Sequence, residues 1–135
     1  VFKATDYVSA CFEIVDSRVE DWRIKIQDTV ADNASCGIFV MSDQKVSPDK
    51  VDFENCEMVI KNHGEKVASG LGSAALGSPL NCVAWLANAL GEYDVKLNAG
   101  DIILSGSLAA MIPCKNGDEM EMEISGIGRA SYKFV

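Results

Sequence analysis

Near the C-terminus the run Glu119-Met120-Glu121-Met122-Glu123-Ile124 alternates charged and apolar side chains with a period of two. Arg129-Ala130-Ser131-Tyr132-Lys133-Phe134 does the same after Gly126-Ile127-Gly128. Only a β-strand sends alternate side chains to opposite faces, so the pattern predicts two strands, Glu119 to Ser125 and Arg129 to Val135, joined at the glycines. Three carboxylates on one face resemble a row of metal ligands. The partner strand offers Arg129, Ser131 and Lys133, however, and pairing the two sets glutamates opposite cations on a solvated face. The solvated face is the reading adopted, and it dictates a sheet whose other face must find a core.

The rest of the chain reads as mainly β around one helix. Ala10 to Val15 and Gly37 to Met41 are apolar strands, and the residues Asp6 to Ser9 read as the end of a helix. Asp16 to Gln27 is a polar stretch, and Asp28 to Ser35 is rich in caps and turn formers, which predicts a single helical turn or an ordered loop. Ser42 to Asn55 reads as a surface loop with Pro48. Glu57 to Ile60 and Glu65 to Ala68 form a hairpin around Lys61-Asn62-His63-Gly64. Ser78 as N-cap, Pro79 at the first helical position and apolar Leu80, Val83, Ala84, Leu86, Ala87 and Leu90 predict a helix over Pro79 to Leu90, stopped by Gly91. Ala99-Gly100-Asp101 and Asn116-Gly117-Asp118 are turns, and Ile102 to Ser105 is a short apolar strand. No internal repeat or linker interrupts residues 1 to 135, which read as one domain.

The chain has 135 residues, 48% of them hydrophobic and 24% charged, a composition that favours a packed core over disorder. Twelve Lys and Arg against 20 Asp and Glu leave a net charge of -8, which argues against nucleic acid and anionic membranes as partners. No apolar run approaches the roughly 20 residues that span a bilayer, and VFKATDYVSA lacks the marks of a signal peptide. Cys11, Cys36, Cys56, Cys82 and Cys114 are scattered, with no CxxC, and read as small buried hydrophobes in a reducing, cytoplasmic compartment. His63, the single histidine, sits on an exposed turn, so triad hydrolysis is excluded. The start at Val1 rather than Met suggests a processed product or a piece of a longer chain.

Chemistry is therefore left to carboxylates, lysines, hydroxyls, backbone or a metal. Glu13 lies between Phe12 and Ile14, so its carboxylate either faces solvent or meets a cation such as a metal ion. Asp28 and Asp32 share one turn and offer further oxygens, a spacing that equally suits capping. Gly70-Leu71-Gly72-Ser73 with Gly77 has neither a helix directly after it nor a P-loop lysine, and reads as a connecting loop. Ser105-Gly106-Ser107 ends a strand at a glycine, where backbone approaches a ligand closely.

Five ordered segments carry a stronger signal: CFEIVDSR (Cys11 to Arg18), IKIQDTVADNASCGIFV (Ile24 to Val40), GLGSAALGSPLNCVAWLANALG (Gly70 to Gly91), AGDIILSGSL (Ala99 to Leu108) and GDEMEMEISGIG (Gly117 to Gly128). Together they resemble the fumarylacetoacetate hydrolase superfamily, within it the group of 2-hydroxypenta-2,4-dienoate hydratases and 4-oxalocrotonate decarboxylases of aromatic meta-cleavage pathways. The resemblance implies an α+β, mainly β fold, a mixed β-roll of the C-terminal type with one principal helix. It implies one Mg²⁺ or Mn²⁺ held by three carboxylates, two from a Glu-x-Glu pair and a third in the segment FEIVDSR, where Glu13 matches it. The pair and a general-base lysine are expected upstream of Val1, so the chain is the C-terminal portion of a longer lyase, or a fragment without activity of its own.

By the same resemblance Asp28 stands beside the metal and orients water or a substrate oxygen, and Ser107 hydrogen-bonds a substrate carboxylate. Asn33, Ser35 and Gly106 bind substrate in the same pocket. The substrate is a small 2-oxo acid whose developing charge the metal stabilises. Decarboxylation of 4-oxalocrotonate is the first expectation, because hydratases tend to carry His at the position of Ser78 and Ala at that of Ser107. Hydration of 2-hydroxypenta-2,4-dienoate is the alternative. A homo-oligomer is expected, with a complex with the paired pathway hydratase or decarboxylase as a further partner.

Overall fold

The computed structural model describes all 135 residues, 25% of them helical and 28% in strands. Six strands, β1 (Cys11–Val15), β2 (Cys36–Met41), β3 (Glu57–Asn62), β4 (Glu65–Leu71), β5 (Glu119–Ile124) and β6 (Gly128–Lys133), form two sheets. The helices are α1 (Ile26–Ala31) and α2 (Pro79–Gly91), so the mainly β, α+β expectation holds.

β1 and β2 make an antiparallel ribbon, and the larger sheet runs β4-β3-β5-β6, every neighbour antiparallel. Its register explains the C-terminal alternation. Glu119 pairs with Lys133 and Glu123 with Arg129, closing ion pairs of 2.6 and 3.0 Å on the solvent face. Met120, Met122 and Ala130 point the other way and meet Met58, Ile60 and Ala10 in the core. Tyr132 and Phe134 stack edge to face beside it with ring centroids 5.0 Å apart. At the β3–β4 turn His63 (φ 49°) and Gly64 (φ 82°) both take positive φ, as a tight hairpin between right-twisted strands requires.

Two glycines record close backbone approaches. A Cβ on Gly70 would fall 1.8 Å from the carbonyl oxygen of Leu108, and one on Gly72 equally close to that of Phe53. The glycine-rich stretch is thus a packing device rather than the connecting loop expected, since Gly70 and Leu71 end β4 and Gly72 opens a 3-10 turn. The ribbon is prolonged at Ser42, whose amide donates to Ala10 O at 2.9 Å, and is tied to the large sheet at Gln44, whose Oε1 accepts the Arg129 amide at 3.0 Å.

Four local expectations need correction. Asp6 to Ser9 does not end a helix; Val8 instead bridges to Val46 in antiparallel fashion. Ile102 to Ser105 forms no strand, since its backbone joins no ladder hydrogen bond, and Ile102 stays 54% exposed. The Ser42 to Asn55 loop is not wholly superficial, since Ser42, Pro48 and Phe53 are buried. Among the cysteines only Cys56 is buried, while Cys36 and Cys114 are exposed, because the elements that carry them present an open face. α2 begins at Pro79 after Ser78 as predicted, but the Ser78 hydroxyl makes no capping bond, and no α2 residue is fully covered.

A compact monomer of 14.5 kDa exposes roughly 6,900 Å². This chain exposes 9,280 Å² and buries only 15 of its 135 residues. Exposed Ile26, Val30, Trp85 and Tyr93 account for part of the excess. No helix is long and apolar enough to cross a membrane.

Candidate functional site

Glu13 occupies the middle of β1, opposite Phe39 on β2, and its side chain is exposed. None of the chain's ion pairs engages it. Burial pushes the Cys11 thiol up, and the Glu13 charge two residues along the same strand face adds to the rise. Glu13 therefore offers a hard, uncommitted oxygen pair, a donor type that suits Mg²⁺ or Mn²⁺. It stands alone in this respect: nowhere do three Asp, Glu, His or Cys side chains gather closely enough to hold a metal ion. The donor present fits one edge of such a site.

The ribbon leads from Glu13 directly into the other candidates. Val15 pairs with Cys36 across a register shift, and Gly37 sits so close to Ile14 that a Cβ there would lie 2.5 Å from its carbonyl oxygen. Immediately before Cys36, Asn33, Ala34 and Ser35 have φ of 50, 57 and 55°, three successive non-glycine residues in the left-handed region. Each such residue costs about 1–3 kcal/mol and persists only where its surroundings over-determine it. The surroundings here are Arg18 and Asp32. The Asp32 carboxylate, 8% exposed, accepts the Ser35 hydroxyl at 2.9 Å and the Arg18 amide at 3.2 Å, and it pairs with the Arg18 guanidinium at 3.3 Å. Partial burial raises the Asp32 carboxyl, but these hydrogen bonds and the Arg18 charge outweigh it and hold the pKa below the usual carboxylate range. Arg18 donates as well to the carbonyls of Asp16 at 3.1 Å, Asp32 at 3.4 Å and Cys36 at 2.6 Å.

Asp28 lies on α1, the helical turn expected here, and its Oδ2 accepts the Lys25 amide at 2.9 Å. It caps the helix, the role that its spacing also suited. Asn33 is exposed, whereas Ser35 is 3% exposed with its hydroxyl committed to Asp32. Gly106 (φ 94°) and Ser107 belong to the irregular segment that crosses β4, where Leu108 touches Gly70. The Ser107 hydroxyl donates to Ala109 O at 2.6 Å and so closes a local turn. The structure thus places Asn33 and Ser35 in the turn that leads into β2, the strand paired with that of Glu13, with α1 and Asp28 before it, and holds Gly106 and Ser107 against the other sheet.

Sequence reasoning weighed Asp32 as an oxygen donor but missed Arg18, although Arg18 is the only cation between Lys3 and Arg23. A guanidinium isolated among carbonyl-rich turns was the available signal.

The family model described as Fumarylacetoacetate (FAA) hydrolase C-terminal matches residues 2–135. The chain is 52% identical over all 135 residues to the 2-hydroxyhexa-2,4-dienoate hydratase of Comamonas testosteroni, covering 51% of that protein. It is 60% identical over 95 residues to a 2-hydroxypent-2,4-dienoate hydratase of Pseudomonas putida, 70% of this chain and 43% of that one. In structure it is similar to the 4-oxalocrotonate decarboxylase from Pseudomonas putida G7 complexed with magnesium and adipate. There the TM-score is 0.91 at 37% identity, over 96% of this chain and 49% of that one. The chain spans about half the length of the curated relatives it matches.

Proposed function

Because the chain belongs to the fumarylacetoacetate hydrolase C-terminal family, we propose that it is the C-terminal portion of a divalent-metal-dependent lyase acting on 2-oxo or 2-hydroxy dienoic acids. The observation that carries this reading is the 52% identity to a dienoate hydratase along the full 135 residues. Its large exposed surface supports the same view, since a half that packs against further chain leaves such a face open. Glu13 would hold the Mg²⁺ or Mn²⁺ together with carboxylates from the rest of the protein. Such an ion supplies Lewis-acid stabilisation of negative charge developing on a bound 2-oxo acid.

The chain's own residues do the remaining work. Asp28, at the start of α1, orients water or a substrate oxygen beside the metal. Asn33 presents its exposed side chain to the substrate, and Ser35 shapes the same wall through the backbone that its hydroxyl fixes. Ser107 and Gly106 receive the substrate carboxylate. Hydration is favoured by the hydratases at 52 and 60% identity. Decarboxylation of 4-oxalocrotonate, the first expectation from sequence, is favoured by the 0.91 structural match and by Ser78 and Ser107 standing where hydratases tend to have His and Ala. The protein works in aromatic meta-cleavage catabolism in the cytoplasm, as a homo-oligomer that also associates with the paired pathway enzyme.

The test uses the full-length protein and follows loss of ultraviolet absorbance of 2-hydroxypenta-2,4-dienoate and of 4-oxalocrotonate. With Mg²⁺ one of the two is consumed, and both EDTA and Glu13→Gln lower that rate at least about 100-fold. Equal rates in all three conditions refute the reading, and the consumed substrate names the reaction.

A further inference from the structure

We propose that Arg18 and Asp32 are a positioning pair for this site: together they hold the left-handed turn Asn33-Ala34-Ser35 beside Glu13 as a rigid wall for a 2-oxo acid. The inference deepens the lyase reading above and rests on it. Three consecutive residues with side chains and positive φ do not hold that shape on their own, and none of them is glycine. The clamp fixes the two ends of the turn. Arg18 reaches the carbonyl of Asp16, just past β1, the carbonyl of Asp32, just before the turn, and the carbonyl of Cys36, just after it. Asp32 closes the interior by accepting the Ser35 hydroxyl, and the Asp16 amide donates to the Ser35 carbonyl at 2.9 Å.

One end of this network is covalently three residues from Glu13. Adjacent side chains on one strand face are about 6.6 Å apart, and the turn ends where Cys36 pairs with Val15, the next residue after Glu13 on its strand face. The arrangement assigns Ser35 to the inside of the wall and leaves Asn33 as its outward group. Arg18 and Asp32 themselves touch no reacting atom, and their contribution is to geometry.

The full-length protein tests this with Asp32→Ala, Arg18→Ala, the double variant and Asp32→Asn. Each single alanine is expected to raise KM for the consumed acid about tenfold or more, while Mn²⁺ affinity measured by paramagnetic resonance stays within about twofold. The double variant should be no worse than the poorer single, and Asp32→Asn, which keeps an acceptor oxygen, should recover most of kcat/KM. Unchanged KM and kcat in Asp32→Ala overturn the proposal. So does a loss of turnover matched by an equal loss of Mn²⁺ binding and folded fraction, which is what a purely structural role produces. Should the unaltered protein consume neither acid, the lyase reading fails, and amide exchange decides the clamp separately. Exchange at Asp16 and Ser35 at least about tenfold faster in Asp32→Ala upholds it, and unchanged exchange refutes it.

Discussion

Asp32 shows how one side chain connects local strain to pH. Its carboxyl is held below the usual range in the folded chain, so the unfolded state takes up protons first as the solution is acidified. Stability from this group is therefore complete above the unfolded value, about pH 4, and is lost as pH falls through the lower folded value. The left-handed turn is expected to open in that window. Amide exchange or NMR of Asn33 to Cys36 between about pH 5 and about pH 2 should show it. In Asp32→Asn the turn should lose this pH dependence. Asp28 illustrates the opposite lesson at the same scale: its spacing allowed either a cap or a ligand, and the Lys25 amide already occupies one of its oxygens.

Among the elements, the β5–β6 hairpin separates what the alternation fixes from what it decorates. Met122, 3% exposed, packs against Met58, Ile60 and Ala10, whereas Lys133 meets Glu119 in solvent. Met122→Ala is expected to cost about 2–5 kcal/mol in urea unfolding, from lost burial and the cavity left behind. Lys133→Ala should move the midpoint far less, since exposed pairs gain little against water and salt. Gly70→Ala should destabilise by about 1–3 kcal/mol, because its new methyl meets the backbone of Leu108 rather than a movable side chain. Period-two patterning made this hairpin legible without coordinates. The apolar run Ile102 to Leu104 was equally suggestive and misled, because a strand needs a neighbour as well as a composition.

For the molecule as a whole, the exposed area governs behaviour. At 9,280 Å² the chain leaves apolar side chains such as Ile26, Val30 and Trp85 in water, and its net charge of -8 opposes self-association without covering them. The 135-residue chain on its own is expected to enhance the fluorescence of an apolar dye such as ANS severalfold more per mole than the full-length protein does. Equal enhancement would mean that the remainder of the protein covers none of this face. The proposal that this chain is part of a longer lyase accounts for the candidate site as well. Glu13 was readable as a carboxylate flanked by apolar neighbours, but no spacing within these residues supplies companions for it, and the structure gathers none.

The amino-acid sequence by itself determined the hairpin, the helix from Pro79, the turn at His63 and the solvated identity of Glu119, Glu121 and Glu123, because each follows from a period or a cap within a few residues. Only the tertiary structure decided that Arg18 reaches across to Asp32 and Cys36, that Asn33, Ala34 and Ser35 turn left-handed, that Ser35 faces inward and that Ile102 to Ser105 stays unpaired. Those outcomes depend on which distant backbone groups are present to accept or donate a hydrogen bond, and local patterning carries no record of that.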